Sequence, residues 1–408
     1  MIRRSATRWI SLAALGLALG AGAVRVARHA PPTVRVAIRV ACDDPAACVR
    51  AETLATDVWS EERGPGLPLD VVVSSNELPQ LTAAGVRWQI LVPDIDAVAA
   101  AEATRLRSPA AHTADWFAEY RDYNAITAHL RELTEIAPDR VSLHAIGNTL
   151  ENRPIWALRI GGGAPDATPM LINGTQHARE WIAAMVSTCV ADRLVRGYDS
   201  DPAIRAFVDH TRLWVVPVVN PDGYQYSWST SRYWRKNRRD RHGVDLNRNF
   251  SVAFGGTGSS KNQRSETYHG PYAFSEPETA ALRDLALGER IALHVDFHAY
   301  GQLVLYPWAY TGTPTKDRDR FAGQGDRMAS AMFVAHQTPY RLMSGVDLYA
   351  AAGTMTDWMY GEAGALSYTI ELRPKGPGGA NGFVLPPEQI KPTCDEGLAA
   401  VLALRAAN

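Results

Sequence analysis

Near-continuous apolar stretches that alternate with helix-like segments dominate the sequence from Asp115 to the C-terminus. A strand that is apolar on both faces must be covered on both faces, which is typical of a sheet flanked by helices. We therefore predict an α/β domain with a central, largely buried sheet over residues 115–408. The predicted strands cover 141–146, 155–160, 170–173, 213–219, 292–297, 302–306 and 367–372. Helices are predicted over 123–136, from about 179 and from about 394.

The first 23 residues have the three-part pattern of an export signal. Basic residues at the start precede an apolar run from Trp9 to Val24, and Ala21-Gly22-Ala23 is a small-residue cleavage site. The apolar run has about 16 residues, fewer than the roughly 20 that a bilayer span needs. We predict a signal peptide over 1–23 and a secreted, periplasmic or extracellular protein, with an uncleaved membrane anchor as the alternative.

A small α+β domain is predicted over residues 31–102. Alternating apolar residues indicate strands at 34–40 and 86–92, a second apolar run covers 69–73, and helical segments lie between and after them. The next segment, 103–114, lacks a core-forming pattern and offers Arg105 and Arg107 to trypsin-like proteases. We predict that this segment is an exposed linker.

Composition narrows the class of protein. The 408 residues carry a formal net charge of −1, so no basic excess is available for nucleic acid, which we exclude as a partner. Four cysteines exclude a disulfide-dense scaffold. In an oxidising compartment we expect one or two disulfides, and Cys42 and Cys48 are spaced to close a small loop. Four buried free cysteines are the alternative.

Three residues form a candidate zinc site. His177 and Glu180 are three residues apart at a predicted strand-to-helix junction, so both side chains can point at one centre. A third ligand is expected from another strand end, and His298 is the best candidate. Two histidines and one glutamate leave an open position for water, as in catalytic zinc sites. His294 is the rival ligand, which we interpret as structural because it lies inside the apolar run.

Two further sites carry charge among apolar residues. Glu371 lies at the edge of a β-like run, where burial is costly unless its charge meets a cation. We interpret Glu371 as a general base, with an ion pair to Arg373 as the alternative. Asn247 and Arg248 follow an apolar stretch, and a planar guanidinium beside an amide can bind a substrate carboxylate.

The chain resembles the zinc carboxypeptidases of the pancreatic carboxypeptidase A/B and bacterial carboxypeptidase T family. The resemblance spans about residues 115–408 and rests on the order and spacing of eight motifs. They are His177-Ala-Arg-Glu180, Asn220-Pro-Asp-Gly-Tyr224, Trp234-Arg-Lys236, Asp245-Leu-Asn-Arg-Asn249, Tyr268-His-Gly-Pro-Tyr272 with Ser275-Glu-Pro-Glu278, Phe297-His-Ala-Tyr300, Tyr349 with Thr356-Asp-Trp358, and Glu371-Leu-Arg373. Residues 31–102 are similar to the family's N-terminal propeptide.

The resemblance implies a role for each matching position and a mixed central sheet. His177, Glu180 and His298 would bind one Zn²⁺, and Glu371 would activate water. Arg235 would stabilise the oxyanion. The residues implied to contact the substrate are Asn247, Arg248 and Tyr349 at its carboxylate, Thr356 at the pocket floor, and Arg179, Tyr300 and Phe383 further out.

The resemblance also implies a pocket for the substrate's last side chain. Its walls would be Leu305, Ala309, Ser344, Leu348, Ala351 and Thr369, with Met355 and Ala309 narrowing it. We expect no carboxylate in this pocket, and hence a preference for apolar or aromatic C-terminal residues.

We therefore predict an exported zinc metallocarboxypeptidase, made as a monomeric proenzyme, that acts on the C-termini of peptides or proteins after an activating protease cuts the linker. Two alternatives stay open. One is a cell-wall peptide amidase that acts at diaminopimelate, and the other is a zinc-bound, peptide-binding protein without activity.

Overall fold

Two β-sheets, one of four strands and one of eight, organise the chain. The computed structural model describes residues 33–60, 66–108, 115–376 and 382–406. The predicted signal peptide over 1–23 lies outside the described residues. From residue 34 onward the chain forms one compact unit. We call residues 33–108 the N-terminal part and residues 115–406 the C-terminal part.

The N-terminal part is an antiparallel sheet with three helices. Its strands are β1 (Arg35–Val40), β2 (Asp57–Val58), β3 (Leu69–Ser74) and β4 (Trp88–Val92), and its helices are α1 (Pro45–Leu54), α2 (Leu78–Ala83) and α3 (Ile95–Leu106). The strand order is β2-β3-β1-β4. Helix α3 ends four residues beyond the predicted domain boundary at residue 102, so residues 103–106 belong to a helix and not to the linker. Residues 109–114 lie outside the described residues.

The C-terminal part contains the mixed sheet. Its strands are β5 (Val141–Asn148), β6 (Pro154–Gly161), β7 (Thr168–Gly174), β8 (Thr211–Val216), β9 (Leu293–Ala299), β10 (Leu303–Tyr306), β11 (Arg341–Ser344) and β12 (Leu366–Leu372). They lie in the order β11-β10-β12-β9-β7-β8-β6-β5. The central four strands, β12, β9, β7 and β8, are parallel to one another. The pairs β5 with β6, β6 with β8 and β10 with β12 are antiparallel, and β10 pairs parallel with β11. The predicted α/β fold with a mixed central sheet is confirmed.

Helices cover both faces of this sheet. They are α4 (Tyr123–Ile136), α5 (Trp181–Gly197), α6 (Pro202–Asp209), α7 (Pro221–Ser229), α8 (Pro277–Glu289), α9 (Arg318–His336), α10 (Gly345–Leu348), α11 (Met355–Gly361) and α12 (Ile390–Ala406). Helix α4 begins where the Asp122 side chain accepts a hydrogen bond from the Ala125 amide. Helix α5 is buried along nearly its whole length, as its apolar sequence requires.

The sheet separates two apolar clusters. Helices α4, α5, α9 and α12 pack over one face, and α8 and α11 pack over the other. All seven residues of β9 and all seven of β12 are buried, which is why these strands read as continuous apolar runs. Short β11 carries no such run, and the sequence pattern did not predict it. None of the helices in the described part of the chain is long and apolar enough to cross a bilayer.

All four cysteines form disulfides. Cys42 is bridged to Cys48 within the N-terminal part, and Cys189 of α5 is bridged to Cys394 of α12. The second bridge spans 205 residues and joins two helices that pack on the same face of the sheet. The alternative of four free cysteines is wrong.

Replacing Cys189 and Cys394 together by alanine is expected to lower the free energy of unfolding by about 2–5 kcal/mol, because a long loop loses its cross-link in the unfolded chain. Denaturant unfolding followed by circular dichroism measures the change. The matched control replaces Cys42 and Cys48, whose loop closes over only 6 residues, and we expect a smaller loss there. Equal losses in the two double variants would contradict the loop-length argument.

Candidate active site

The carboxyl ends of the parallel strands meet at one edge of the sheet. Strand β7 has β8 on one side and β9 on the other, so consecutive strands are added to the sheet on opposite sides of β7. Open α/β sheets bind ligands in the crevice at such a point. His177 follows the end of β7, His298 lies near the end of β9, and Glu371 lies near the end of β12. Glu371 is the register partner of His298 on the neighbouring strand.

Three buried side chains converge on one point in this crevice. The ligand atoms of His177, Glu180 and His298 lie within 4.8 Å of one another. The two Nδ1 atoms are 3.1 Å apart, and the Glu180 carboxylate lies 2.8 Å from His177 Nδ1 and 3.0 Å from His298 Nδ1. Helix α5 begins at the next residue, so the helix start fixes the position of Glu180.

The other nitrogen of each imidazole faces a buried carboxylate. His177 Nε2 is 3.1 Å from Asp245 Oδ1, and His298 Nε2 is 2.9 Å from Asp296 Oδ2. When each Nε2 carries the proton, both Nδ1 lone pairs point towards the Glu180 carboxylate. Three lone-pair donors that face one another in a buried space fit a divalent cation, and two imidazoles with one carboxylate suit Zn²⁺.

His294, the rival ligand, lies away from this point. Its ring is hydrogen-bonded on both sides, with Nδ1 2.7 Å from Ser367 Oγ and Nε2 2.7 Å from Asn173 Oδ1. Burial lowers the pKa of His294 to about 4, so the ring is neutral near pH 7. The geometry agrees with our interpretation that His294 is structural.

Asp245 holds Arg235 beside the three candidate metal ligands, which we call the metal group. The Arg235 guanidinium donates to Asp245 Oδ2 from Nη2 at 2.9 Å and from Nε at 3.3 Å. Burial on its own would raise the pKa of Asp245, but the charges of Arg235 and His177 hold that pKa well below its usual range. One ionised carboxylate therefore orients both a metal-site imidazole and a cation.

Asn247, Arg248 and Tyr349 come together at the entrance of a side pocket. The Asn247 Oδ1 accepts a hydrogen bond from the Met355 amide at 2.9 Å, which leaves its Nδ2 for another partner. Arg248 Nη2 donates to the Tyr349 hydroxyl at 3.1 Å, and Arg248 Nη1 donates to the Asn247 carbonyl at 2.7 Å. The guanidinium is thereby fixed in the pocket wall. Gly353 permits this packing, since a Cβ there would lie 2.5 Å from the Arg248 carbonyl oxygen.

The side pocket has the walls expected from the sequence, with exceptions. Thr356 and Glu371 line it together with Leu305, Ala309, Leu348, Ala351 and Thr369. Ser344 and Met355 are not among the residues that line it. The expectation that no carboxylate faces the pocket is wrong, because Glu371 and Asp357 both line it. The Asp357 carboxylate accepts backbone hydrogen bonds from Ala309 and Tyr310, and burial raises its pKa to about 7.

The outer part of the site is covered by the N-terminal part. Arg179 forms an ion pair with Asp57 of β2, and its guanidinium lies 4.1 Å from the ring centre of Phe383. Trp59 contacts Phe383 edge-on at 5.8 Å, and its carbonyl accepts a hydrogen bond from the Tyr300 hydroxyl at 3.3 Å. The three residues predicted to line the outer site are thus brought together, under the segment that contains Asp57 and Trp59.

A second contact ties α3 to the site. Glu102 and Arg232 are both buried and form an ion pair at 2.5 Å. Arg232 also donates to the carbonyl oxygens of Arg179 at 2.8 Å and Phe383 at 2.6 Å. The end of the N-terminal part is therefore linked to the backbone of two residues that line the site.

Sequence reasoning missed the roles of Asp245, Asp296 and Asp57. A signal for Asp296 was present: His294, Asp296 and His298 occupy every second position of β9 and therefore share one face. Asp245 lay inside a matched motif without an assigned contact. No pattern in the sequence connects Asp57 with Arg179.

Residues 126–400 match the zinc carboxypeptidase family, Peptidase_M14. Carboxypeptidase A1 of Rattus norvegicus is 31% identical over 368 residues, covering 86% of this chain and 87% of the relative. Carboxypeptidase O of Bos taurus is 36% identical over 296 residues, or 70% of this chain and 78% of the relative.

Solved structures agree with the sequence relatives. The structure of thrombin activatable fibrinolysis inhibitor has a TM-score of 0.83 at 28% identity, with 91% of this chain and 98% of that chain covered. Carboxypeptidase A from Helicoverpa armigera has a TM-score of 0.82 at 28% identity, with 91% and 97% covered. The chain belongs to the zinc carboxypeptidase family and is a zinc metallocarboxypeptidase. The alternative of a peptide-binding protein without activity is therefore set aside.

Replacing His298 by alanine is expected to reduce bound zinc from about one ion per chain to near zero at low zinc concentration, because two ligands hold the ion far less tightly than three. Metal analysis after dialysis measures the content. The control is His294→Gln, four residues earlier on the same strand, which should retain the ion. Loss of zinc in the control alone would reverse the assignment of the ligand.

Proposed function

We propose that this chain is an exported proenzyme whose mature form releases single C-terminal residues from peptides, with a preference for apolar or aromatic side chains. The observation that carries the proposal is the adjacency of the metal group and the side pocket. Glu371 lines the pocket and is also the register partner of His298, so the two sites share one residue.

Substrate orientation follows from the pocket entrance. In this proposal the terminal carboxylate binds Arg248, Asn247 and Tyr349, because a guanidinium, an amide and a hydroxyl together supply donors for both oxygens. The last side chain then enters the pocket beside Thr356. The peptide bond that precedes this residue is thereby held next to the metal group.

Bond cleavage then needs a base and a cation. When bound by His177, Glu180 and His298, zinc supplies Lewis-acid polarisation and a lowered pKa for water. Glu371 removes a proton from the attacking water as its oxygen bonds to the carbonyl carbon. Arg235 donates hydrogen bonds to the oxygen that becomes negative. Glu371 returns the proton to the amine as the carbon–nitrogen bond breaks, which yields a shortened peptide and a free amino acid.

The composition of the pocket supports the apolar preference. Leucine and alanine side chains form much of the wall, and Thr356 bonds to the Thr369 hydroxyl at the floor. Two carboxylates line the pocket: Glu371 is the proposed base beside the metal ligands, and Asp357 already accepts backbone hydrogen bonds, with burial raising its pKa to about 7. A lysine or arginine side chain would therefore lack a full countercharge.

The proenzyme proposal rests on the contacts of the N-terminal part. Asp57 forms an ion pair with Arg179. Glu52, Asp57 and Ser60 of the N-terminal part line the same cavity as Arg235 and Tyr349 of the C-terminal part. A peptide cannot reach these residues while that part stays bound.

The proposed activation site is Arg107, which is exposed and follows the end of α3. Arg105 is held by Glu119 and is less accessible to a protease. Export is supported by the two disulfides, which persist in oxidising compartments.

Glu371→Gln is expected to lower kcat by about 10²–10⁴-fold while zinc stays bound, because glutamine retains the shape but cannot accept the proton. Steady-state kinetics of the activated protein, together with metal analysis, measure both quantities. Near-parental kcat in this variant would show that the base is another residue.

Blocked dipeptides that end in Phe, Leu, Lys or Glu test the specificity and the proenzyme together. We expect little turnover by the intact chain, and turnover of Phe and Leu above Lys and Glu after limited trypsin cleavage. Turnover of Lys above Phe would contradict the pocket argument. A cleaved protein that is silent on all four substrates would favour the cell-wall amidase, and full activity of the intact chain would contradict inhibition by the N-terminal part.

A further inference from the structure

Asp296 is a buried carboxylate that no lysine or arginine contacts in the part of the chain that the structure describes. Its side chain is fully buried in β9, and its only ion-pair partner in the part of the chain that the structure describes is the His298 imidazole. Asp245, the equivalent partner of His177, differs in this respect because Arg235 balances its charge. A buried carboxylate that no arginine or lysine balances is stabilised by a nearby cation.

The hydrogen bonds around Asp296 determine which atoms carry protons. Asn173 Nδ2 donates to Asp296 Oδ1 at 2.7 Å, and Gln176 Nε2 donates to Asp296 Oδ2 at 2.5 Å. Amide nitrogens only donate, so both carboxylate oxygens are acceptors. His298 Nε2, 2.9 Å from Asp296 Oδ2, must then be the protonated nitrogen of the ring.

The far end of the network confirms the orientation of the Asn173 amide. The Asn173 Oδ1 is 2.7 Å from His294 Nε2 and accepts its proton, and His294 Nδ1 accepts from the Ser367 hydroxyl at 2.7 Å. All of these residues are fully buried. Because these groups are buried, the Asn173 amide cannot rotate without leaving buried polar groups unsatisfied.

Strand register keeps the network in place. Asp296 pairs with Asn173 on β7 and with Thr369 on β12, and His298 pairs with Glu371. The carboxylate that faces His298 is therefore fixed by the central strands of the sheet and not by a loop.

We propose that Asp296 is a positioning residue of the zinc site, which holds His298 in the tautomer whose Nδ1 lone pair faces the metal and supplies a negative charge that the bound ion balances. The inference rests on the proposed metal site and adds a residue that acts through His298. A carboxylate in this position raises the basicity of the ligating imidazole. Asp296 therefore strengthens zinc binding without touching the ion.

The test is the zinc affinity of the full chain, measured by competition with a chromogenic chelator. Asp296→Asn and Asp296→Ser are expected to raise the zinc dissociation constant by about 10–100-fold, the usual effect of losing such a partner. The matched control, Ser367→Ala, removes the far end of the same buried network and should stay within about threefold of the parent. Thermal unfolding at saturating zinc identifies variants that are folded.

Folded Asp296 variants that bind zinc within about threefold of the parent would overturn the proposal. So would an equal weakening in Ser367→Ala, which would show a general packing effect. His298→Ala separates this inference from the metal site itself: if that variant binds zinc as tightly as the parent, the ligand set is wrong.

A measurement on the unaltered chain covers the case in which Asp296 variants do not fold. With ¹¹³Cd in place of zinc and ¹⁵N-labelled histidine, we expect metal–nitrogen coupling to His298 Nδ1 and a slowly exchanging proton on His298 Nε2. Coupling to Nε2, or an Nε2 without a proton, would overturn the proposal.

Discussion

The in-register parallel pairing of β7, β9 and β12 is the constraint on which the site depends. It places Asn173, Asp296 and Thr369 in one row across the sheet, and Glu371 beside His298 two residues further along the strands. Because side chains alternate between the two faces, a slip of one residue would turn every one of them away from its partner. The metal ligand, the base and the pocket wall would then be lost together. The apolar residues that cover both faces of these strands oppose such a slip.

Buried charge explains why so many residues around the ligands are polar and yet ordered. The site contains more carboxylates than an apolar interior tolerates unless each is hydrogen-bonded or faces a cation. Asp245 meets Arg235, and Asp357 accepts backbone amides. The Glu180 carboxylate lies between two imidazoles. A zinc ion bound by His177, Glu180 and His298 would add positive charge to this cluster of carboxylates, and such binding stabilises the folded state.

Patterns of neighbouring residues predicted the strands and helices that local interactions determine. The apolar runs of β9 and β12 and the start of α5 follow from residues that are neighbours in sequence. The spacing of His177 and Glu180 and the place of His298 at a strand end predicted the metal ligands, and the family motifs pointed to the same three residues. Contacts between segments that are distant in sequence could not be predicted in this way. Asp296 and Gln176 are 120 residues apart, and Asp57 is 122 residues from Arg179. Only the assembled sheet and the docked N-terminal part create these pairs. The position of Asp357 in the pocket wall likewise depends on the assembled fold, and the sequence analysis did not predict it.

The positions of the two disulfides determine what would happen if the predicted linker were cut. The Cys42–Cys48 bridge lies wholly before the predicted linker, and the Cys189–Cys394 bridge lies wholly after it. Since the chain has only four cysteines, no covalent cross-link joins the two parts apart from the backbone itself. A cut in the predicted linker would therefore turn an intramolecular contact into a bimolecular one. After such a cut, dilution would favour separation of the two parts, and the local concentration of the N-terminal part would determine how long the site stays covered.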